Sequence, residues 1–141
     1  MSDHLHSALN YCVDFARLML EKSGEFHPFG AIVNATGDVE ARGAWTGEEF
    51  PKGQDVYELL MEGLRAELLD GRAIAIAVAA DVNIPEQYAA PYRDGLRVAL
   101  ESPGYSRFVY MPYHLKRSSI FSSKKVVEFS ESFSVELKPL A

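Results

Sequence analysis

Apolar residues recur at three- and four-residue intervals in two segments of the chain, and this spacing predicts two amphipathic helices. Ser2 or Asp3 can cap the amino end of the first helix, because either side chain accepts a hydrogen bond from a free backbone N–H. Gly24 follows the last turn and predicts where the helix ends. The apolar stripe of this helix comprises Leu5, Ala8, Leu9, Cys12, Phe15, Ala16, Met19 and Leu20.

The second helix is predicted to begin near Gln54 or Asp55 and to end at Gly71. Its apolar stripe includes a glycine, Gly63, which destabilises a helix interior by about 1 kcal/mol relative to alanine. Close packing of the helix on a sheet would explain a glycine at this position. The other members of the stripe are Val56, Leu59, Leu60, Leu64 and Leu68.

Apolar or alternating runs, separated by turn-forming residues, predict five strands. Their approximate bounds are residues 29–33, 39–45, 73–80, 96–101 and 107–113, with a further candidate strand at 126–129. The third run has no polar position, which predicts a central strand covered on both faces. Residues 114–123 are predicted to be a polar loop, and the tail from residue 131 is left open between an edge strand and a mobile segment.

The predicted order of elements is α-β-β-α-β-β-β, with the candidate strand as an eighth element. Adjacent hairpins favour a mainly antiparallel sheet of five or six strands with two helices packed against it. No internal repeat or low-complexity segment interrupts the chain. The sequence therefore predicts a single α+β domain over residues 1–141.

This element order resembles the roadblock and profilin-like folds, in which two helices flank a five-stranded antiparallel sheet. Residues 24–30, Gly-Glu-Phe-His-Pro-Phe-Gly, also resemble the signature of a family of small uncharacterised bacterial proteins. In that family the stretch follows a first helix, and a later strand pair ends in a Pro-Tyr pair like Pro112-Tyr113. The resemblance implies that this chain is related to that family, but it implies no particular catalytic or binding activity.

Composition and charge exclude several classes of protein. Hydrophobic residues make up 48% of the 141 residues and charged residues 24%, which is typical of a globular domain. Cys12 is the single cysteine, so a disulfide framework and a multi-cysteine metal site are excluded. We expect a cytoplasmic protein, because no signal-like start and no membrane-spanning apolar run occur. The net charge of −6 makes nucleic acid an unfavourable ligand.

Acidic residues are concentrated in the first half of the chain. Residues 1–71 hold 5 cations and 13 anions, a net charge of −8, whereas residues 72–141 hold 9 and 7, a net charge of +2. Asp55, Glu58 and Glu62 share the polar face of the second predicted helix. This face is either a solvated surface or a docking surface for a basic protein partner.

Four polar residues are candidates for a ligand site or for acid–base chemistry: His27, Asp81, Glu101 and His114. Alternation places Glu101 on the outer face of its strand together with Arg97, and the short turn that follows predicts an ion pair with Arg107 on a solvated face. No metal site or cofactor is predicted, because the histidines lack ligand spacing and the glycines form no phosphate-binding motif. Cys12 is interpreted as part of the core.

Five of the seven tyrosines fall between Tyr88 and Tyr113. Tyrosine is enriched in protein interfaces, because its ring supplies a large contact area at a low entropic cost. Part of this set must belong to the core. The remainder, with Tyr105, Tyr110 and Tyr113 as candidates, predicts a surface for self-association or for a partner.

These observations favour a small cytoplasmic binding or regulatory module that forms a homodimer and has no catalytic machinery. One alternative is an immunity or inhibitor protein that docks a basic toxin through its acidic second helix. Another is a small hydrolase that uses His27 or His114 with Asp81 or Glu101, which requires these residues to converge in a concave site.

Overall fold

The order of helices and strands predicted from the sequence is confirmed by a computed structural model, in which residues 1–117 and 124–139 are described. The elements are α1 (Asp3–Ser23), β1 (Phe29–Asn34), β2 (Val39–Arg42), α2 (Gly53–Leu69), β3 (Ala73–Asn83), β4 (Asp94–Ser102), β5 (Tyr105–Arg117), β6 (Lys125–Phe129) and β7 (Phe133–Glu136). A short 3₁₀ helix, Glu86–Tyr88, lies between β3 and β4. The protein therefore has an α+β fold.

Helix α1 begins and ends where its capping residues predict. The hydroxyl oxygen of Ser2 accepts a hydrogen bond from the backbone N–H of Leu5 at 3.3 Å. Gly24 adopts a left-handed conformation with φ of 79°, and its N–H donates to the carbonyl of Leu20 at 2.8 Å. Between these caps, five buried residues at helical spacing face the sheet: Leu5, Ala8, Cys12, Ala16 and Leu20.

The sheet is antiparallel throughout, with the strand order β2-β1-β3-β4-β5-β6. Besides its pairing with β4, strand β5 is long enough to pair with two more strands, β7 along its first half and β6 along its second half. Residues 133–136 of the tail are therefore a strand. The predicted loop over 114–123 is a strand as far as Arg117, and its remaining residues lie outside the described part of the chain.

Strand β3 is covered on both faces, as its apolar sequence predicts. Alanines at 75, 77 and 79 face α1, and their small side chains let the helix approach the sheet closely. Ile76 and Val78 face α2, together with Ile32 of β1. The two helices therefore lie on opposite faces of one sheet, and each encloses its own hydrophobic cluster.

The packing role predicted for Gly63 is wrong, because this residue is exposed and nothing lies within 4 Å of where its Cβ would be. We expect Gly63→Ala to raise the free energy of unfolding by about 1 kcal/mol, since alanine has the higher helix propensity and restricts the unfolded chain. Urea unfolding followed by circular dichroism measures this change.

Gly30→Ala is the matched control for Gly63→Ala. A Cβ at Gly30 would lie 2.9 Å from Leu64 Cδ2 and 3.0 Å from the carbonyl oxygen of Ala77, so this substitution should destabilise the fold. A destabilising Gly63→Ala would contradict the expectation.

Candidate functional site

A cavity of about 370 Å³ lies where β1 begins and β3 continues beyond its pairing with β1. The last pair between these strands joins Phe29 to Ala79, so residues 25–28 turn away beside the end of β3. The first turns of α2 close the cavity from one side. Its polar lining comprises Glu25, His27, Gln54, Tyr57, Asp81 and Arg97.

Arg97 extends from β4 beneath the first turns of α2. Its guanidinium carbon lies 4.9 Å from the centre of the Tyr57 ring and 4.4 Å from the centre of the Phe108 ring. These cation–π contacts hold the side chain in place. The Nε atom of Arg97 is buried and has no hydrogen-bond partner among the described residues, and the guanidinium forms no ion pair there. The cavity therefore contains a fixed positive charge with unused hydrogen-bonding capacity.

Tyr57 lies on α2 between Arg97 and Arg65. Burial raises the pKa of its hydroxyl above the usual value, and the neighbouring arginine charges partly oppose that rise. The phenol therefore remains protonated at neutral pH, and it is available as a hydrogen-bond donor to a bound group.

Asp81 lines the same cavity from the opposite face of the sheet, because it pairs with Leu96 in the β3–β4 ladder whereas Arg97 pairs with Ala80. Its Oδ1 accepts a hydrogen bond from the hydroxyl of Tyr113 at 2.7 Å, and the backbone N–H of Phe26 also donates to it. Burial is the largest cause of a raised pKa at Asp81, and the nearby carboxylates of Asp94 and Glu25 add to it. A cation placed beside Asp81 would favour the charged carboxylate and oppose this rise in pKa.

The structure brings together two of the four polar residues selected from the sequence, and it separates the others. His27 is exposed and lines the cavity with Asp81. Glu101 pairs with Ile76 in the β3–β4 ladder, five residues from the Asp81–Leu96 pair and thus about 16 Å along the strand. His114 is exposed on β5, where its ring stacks on Tyr92 at 5.3 Å. One of the pairs that a hydrolase would require, His27 with Asp81, therefore shares a cavity, and the hydrolase alternative remains a prediction.

The solvated ion pair predicted between Glu101 and Arg107 is also wrong. Helix α2 covers this face of β4, and Glu101 is only 2% exposed. Arg65 on α2 donates to both of its carboxylate oxygens, at 2.9 and 2.8 Å. The turn between β4 and β5 places Ser106 opposite Glu101, while Arg107 lies 3.7 Å from Glu136. Glu101 is therefore a buried structural residue.

The tyrosines proposed as a partner surface lie mainly inside the monomer. Tyr110 and Tyr113 are 4% and 5% exposed, because each points into a face of the sheet that is covered by other elements. Tyr105 is half-buried beside Arg107. By contrast, the acidic residues Asp55, Glu58 and Glu62 are all exposed on α2. Docking of a basic partner on these three carboxylates remains a prediction.

Sequence reasoning did not assign Tyr57 or Gln54 to a site, and it placed Arg97 on a solvated surface. The only signal available in the sequence was a cationic residue that alternates with apolar ones on a predicted strand. Arg97 lies opposite Ala80 on one side and Tyr110 on the other.

Three further kinds of function were considered for the described residues: a reactive cysteine, a metal site and a membrane-spanning helix. Cys12 is fully buried, and burial raises the pKa of its thiol to about 12, so the thiolate is scarce at neutral pH. Residues 1–117 and 124–139 contain no cluster of histidine, cysteine or carboxylate side chains that could hold a metal ion. Neither α1 nor α2 combines the length and hydrophobicity that a membrane-crossing helix requires.

No family model, curated protein or solved structure matches the chain. The resemblance of residues 24–30 to a bacterial family remains a prediction, as does the likeness to roadblock and profilin-like folds beyond the order of elements.

Proposed function

We propose that this protein is a binding module, without catalytic machinery, that takes a small molecule carrying both a carboxylate and an amine. The observation that supports the proposal is Arg97, whose guanidinium is held between two rings at a cavity and is not neutralised by a carboxylate of the described chain. A planar guanidinium fixed in this way is suited to bind a carboxylate.

The cavity favours a ligand with two charges over a simple anion. Gly53 and Gln54 belong to the first turn of α2, which has no side-chain cap, so the positive end of the helix dipole adds to the charge of Arg97. Asp81 and Glu25 would repel an anion placed near them, and they would attract an ammonium group. A ligand that carries both a carboxylate and an ammonium group can therefore bind Arg97 and the acidic residues at the same time.

The apolar part of the lining limits the ligand to a moderately hydrophobic body. Phe26, Pro28 and Val82 contribute to the cavity wall between the charged groups. A volume of about 370 Å³ lies at the lower end of the usual range for ligand sites, which suits a molecule the size of an amino acid. An aromatic amino acid is therefore a suitable probe.

Titration of ¹⁵N-labelled protein with three probes tests the proposal: phenylalanine has both charges, benzoate only the negative charge and benzylamine only the positive charge. We expect phenylalanine to shift the amide resonances of Gln54, Tyr57 and Arg97 at the lowest concentration. Arg97→Gln should weaken the binding of phenylalanine and benzoate about tenfold, because a charge-assisted hydrogen bond contributes about 1.5–3 kcal/mol.

Two further variants test whether the charges of the cavity cause the binding, one by removing its negative charge and one by removing an arginine outside it. Asp81→Asn should weaken phenylalanine and benzylamine but leave benzoate unchanged, and its amide oxygen can still accept the Tyr113 hydrogen bond. Arg107→Gln is the matched control, since Arg107 also lies over a ring, at 4.8 Å from Tyr105, outside the cavity lining. The proposal is wrong if none of the probes shifts these resonances at millimolar concentration, or if Arg97→Gln binds as well as the original chain.

A further inference from the structure

Strand β2 ends the sheet, and its outer edge has no strand partner among the described residues. An unpaired edge presents backbone N–H and C=O groups that can add another strand. Proteins commonly protect such an edge with a very short strand, charged side chains, proline or a bulge. Strand β2 has only four residues, Val-Glu-Ala-Arg, and two of them are charged, but it contains no lysine or proline.

The hairpin turn determines which backbone groups of β2 point outward. The N–H of Asn34 donates to the carbonyl of Asp38 at 2.9 Å, so these two residues form a hydrogen-bonded pair. Hydrogen-bonded pairs recur at every second position of an antiparallel ladder, which assigns the backbone groups of Glu40 and Arg42 to β1. The N–H and C=O of Ala41, whose side chain is also exposed, therefore point away from the sheet.

The charges of β2 are complementary to a second β2 strand in antiparallel register. A two-fold axis through Ala41 makes the two Ala41 residues a hydrogen-bonded pair, and it sets Glu40 opposite Arg42 of the second copy on both sides of the axis. Positions next to a hydrogen-bonded pair are non-hydrogen-bonded pairs, whose side chains lie closer together. Both cross-strand contacts would then join opposite charges.

Two exposed apolar side chains follow β2 in the sequence. Trp45 and Phe50 follow β2 and are 75% and 87% exposed, more than any other large apolar side chain of the described residues. In the antiparallel register, Trp45 would lie beside the turn at residues 34–38 of the second copy. Burial of the Trp45 ring would add a hydrophobic contribution to the strand pairing.

We propose that the protein forms a homodimer in which the β2 strands of two copies pair antiparallel about Ala41 and extend the sheet across both. A second copy is favoured over an unrelated partner because Glu40 and Arg42 complement themselves under the two-fold operation. This proposal is independent of ligand binding in the cavity.

Ala41→Pro removes the outward N–H while leaving the ladder with β1 intact, because the N–H of Ala41 does not bond to β1. We expect light scattering and sedimentation to give a dimer for the original chain and at least a tenfold higher dissociation constant for Ala41→Pro. Ala41→Ser keeps the N–H and should dimerise normally. Circular dichroism and urea unfolding establish that the variants are folded.

A charge exchange tests the register, and it does so even if Ala41→Pro fails to fold. Arg42 also bonds Glu67 at 3.0 Å, so all of these variants are made in a Glu67→Gln background. Glu40→Arg or Arg42→Glu alone places like charges opposite each other and should weaken the dimer, whereas both together should restore it. A protein that is monomeric at every concentration overturns the proposal, and so does a dimer that neither Ala41→Pro nor single charge changes weaken.

Discussion

Replacing Arg65 with alanine is expected to lower the free energy of unfolding by about 3 kcal/mol, because it leaves a buried carboxylate without its counter-ion. The side chain of Glu101 is 3% exposed, and its two oxygens accept both hydrogen bonds of the Arg65 fork. Arg65 itself is 42% exposed, so the expected loss lies at the lower end of the range for buried ion pairs. Urea unfolding at pH 7 measures it.

A second ion pair, exposed to solvent, shows whether the stability loss comes from the burial of Glu101 or from the loss of any salt bridge. Arg72 forms a comparable contact with Asp70 at 2.8 Å, but both side chains are about half exposed or more, so Arg72→Ala should change stability by less than about 0.5 kcal/mol. Adding Glu101→Gln to Arg65→Ala should recover part of the loss, because the amide carries no charge and can still accept from Ser106. Equal effects of Arg65→Ala and Arg72→Ala would contradict this account.

The helices could be predicted from the sequence almost to the residue because their signals are local. Ser2 and Gly24 act on the first and last turns of α1, and each is observed in its expected capping role. The apolar run at 73–80 likewise predicts a central strand, because its flanking residues bound it at strand length and a strand without polar positions must be covered on both faces.

The environment of β4 could not be predicted in the same way. Alternation correctly indicates that Glu101 and Leu100 point to opposite faces of the sheet. It does not indicate that α2 covers the Glu101 face, since Arg65 is 36 residues away in the sequence. A polar residue in an alternating strand is therefore solvated or paired beneath a helix, and tertiary packing decides between these two environments.

The candidate site shows the same division between local and distant signals. His27 and Asp81 line one cavity because the register of β1 and β3, which pairs Phe29 with Ala79, brings residues 25–28 beside the end of β3. That register depends on the pairing of two strands, and the sequence alone does not specify it. The contact of Arg97 with Tyr57 joins a strand to a helix, so neither periodicity nor spacing reveals it.

The free energy of unfolding is expected to fall steeply above pH 9, and Cys12 is the group that begins this fall. Burial raises the pKa of its thiol from 9.0 to about 12 in the folded protein. Between these values the unfolded chain releases the thiol proton while the folded chain retains it. A pKa raised by folding thus contributes stability that is complete below pH 9 and is lost as the pH rises towards 12.

The size of the effect follows from about 1.4 kcal/mol per pH unit, which amounts to about 4 kcal/mol at pH 12 from this one thiol. Tyr113 adds a further loss above pH 10, since burial and its hydrogen bond to Asp81 raise the pKa of its hydroxyl. Urea unfolding at several values between pH 7 and 11, with a reducing agent present, measures the slope.

Cys12→Ala isolates the contribution of the thiol. At pH 7 the variant should be less stable by about 1 kcal/mol, because a smaller side chain leaves unfilled space in the core. At pH 11 the original chain has lost about 3 kcal/mol through Cys12, which the variant does not lose, so the order of their stabilities should reverse. Tyr113→Phe should leave the slope between pH 9 and 10 unchanged. Parallel pH profiles for Cys12→Ala and the original chain would show that the thiol ionises in the folded protein as readily as in the unfolded chain.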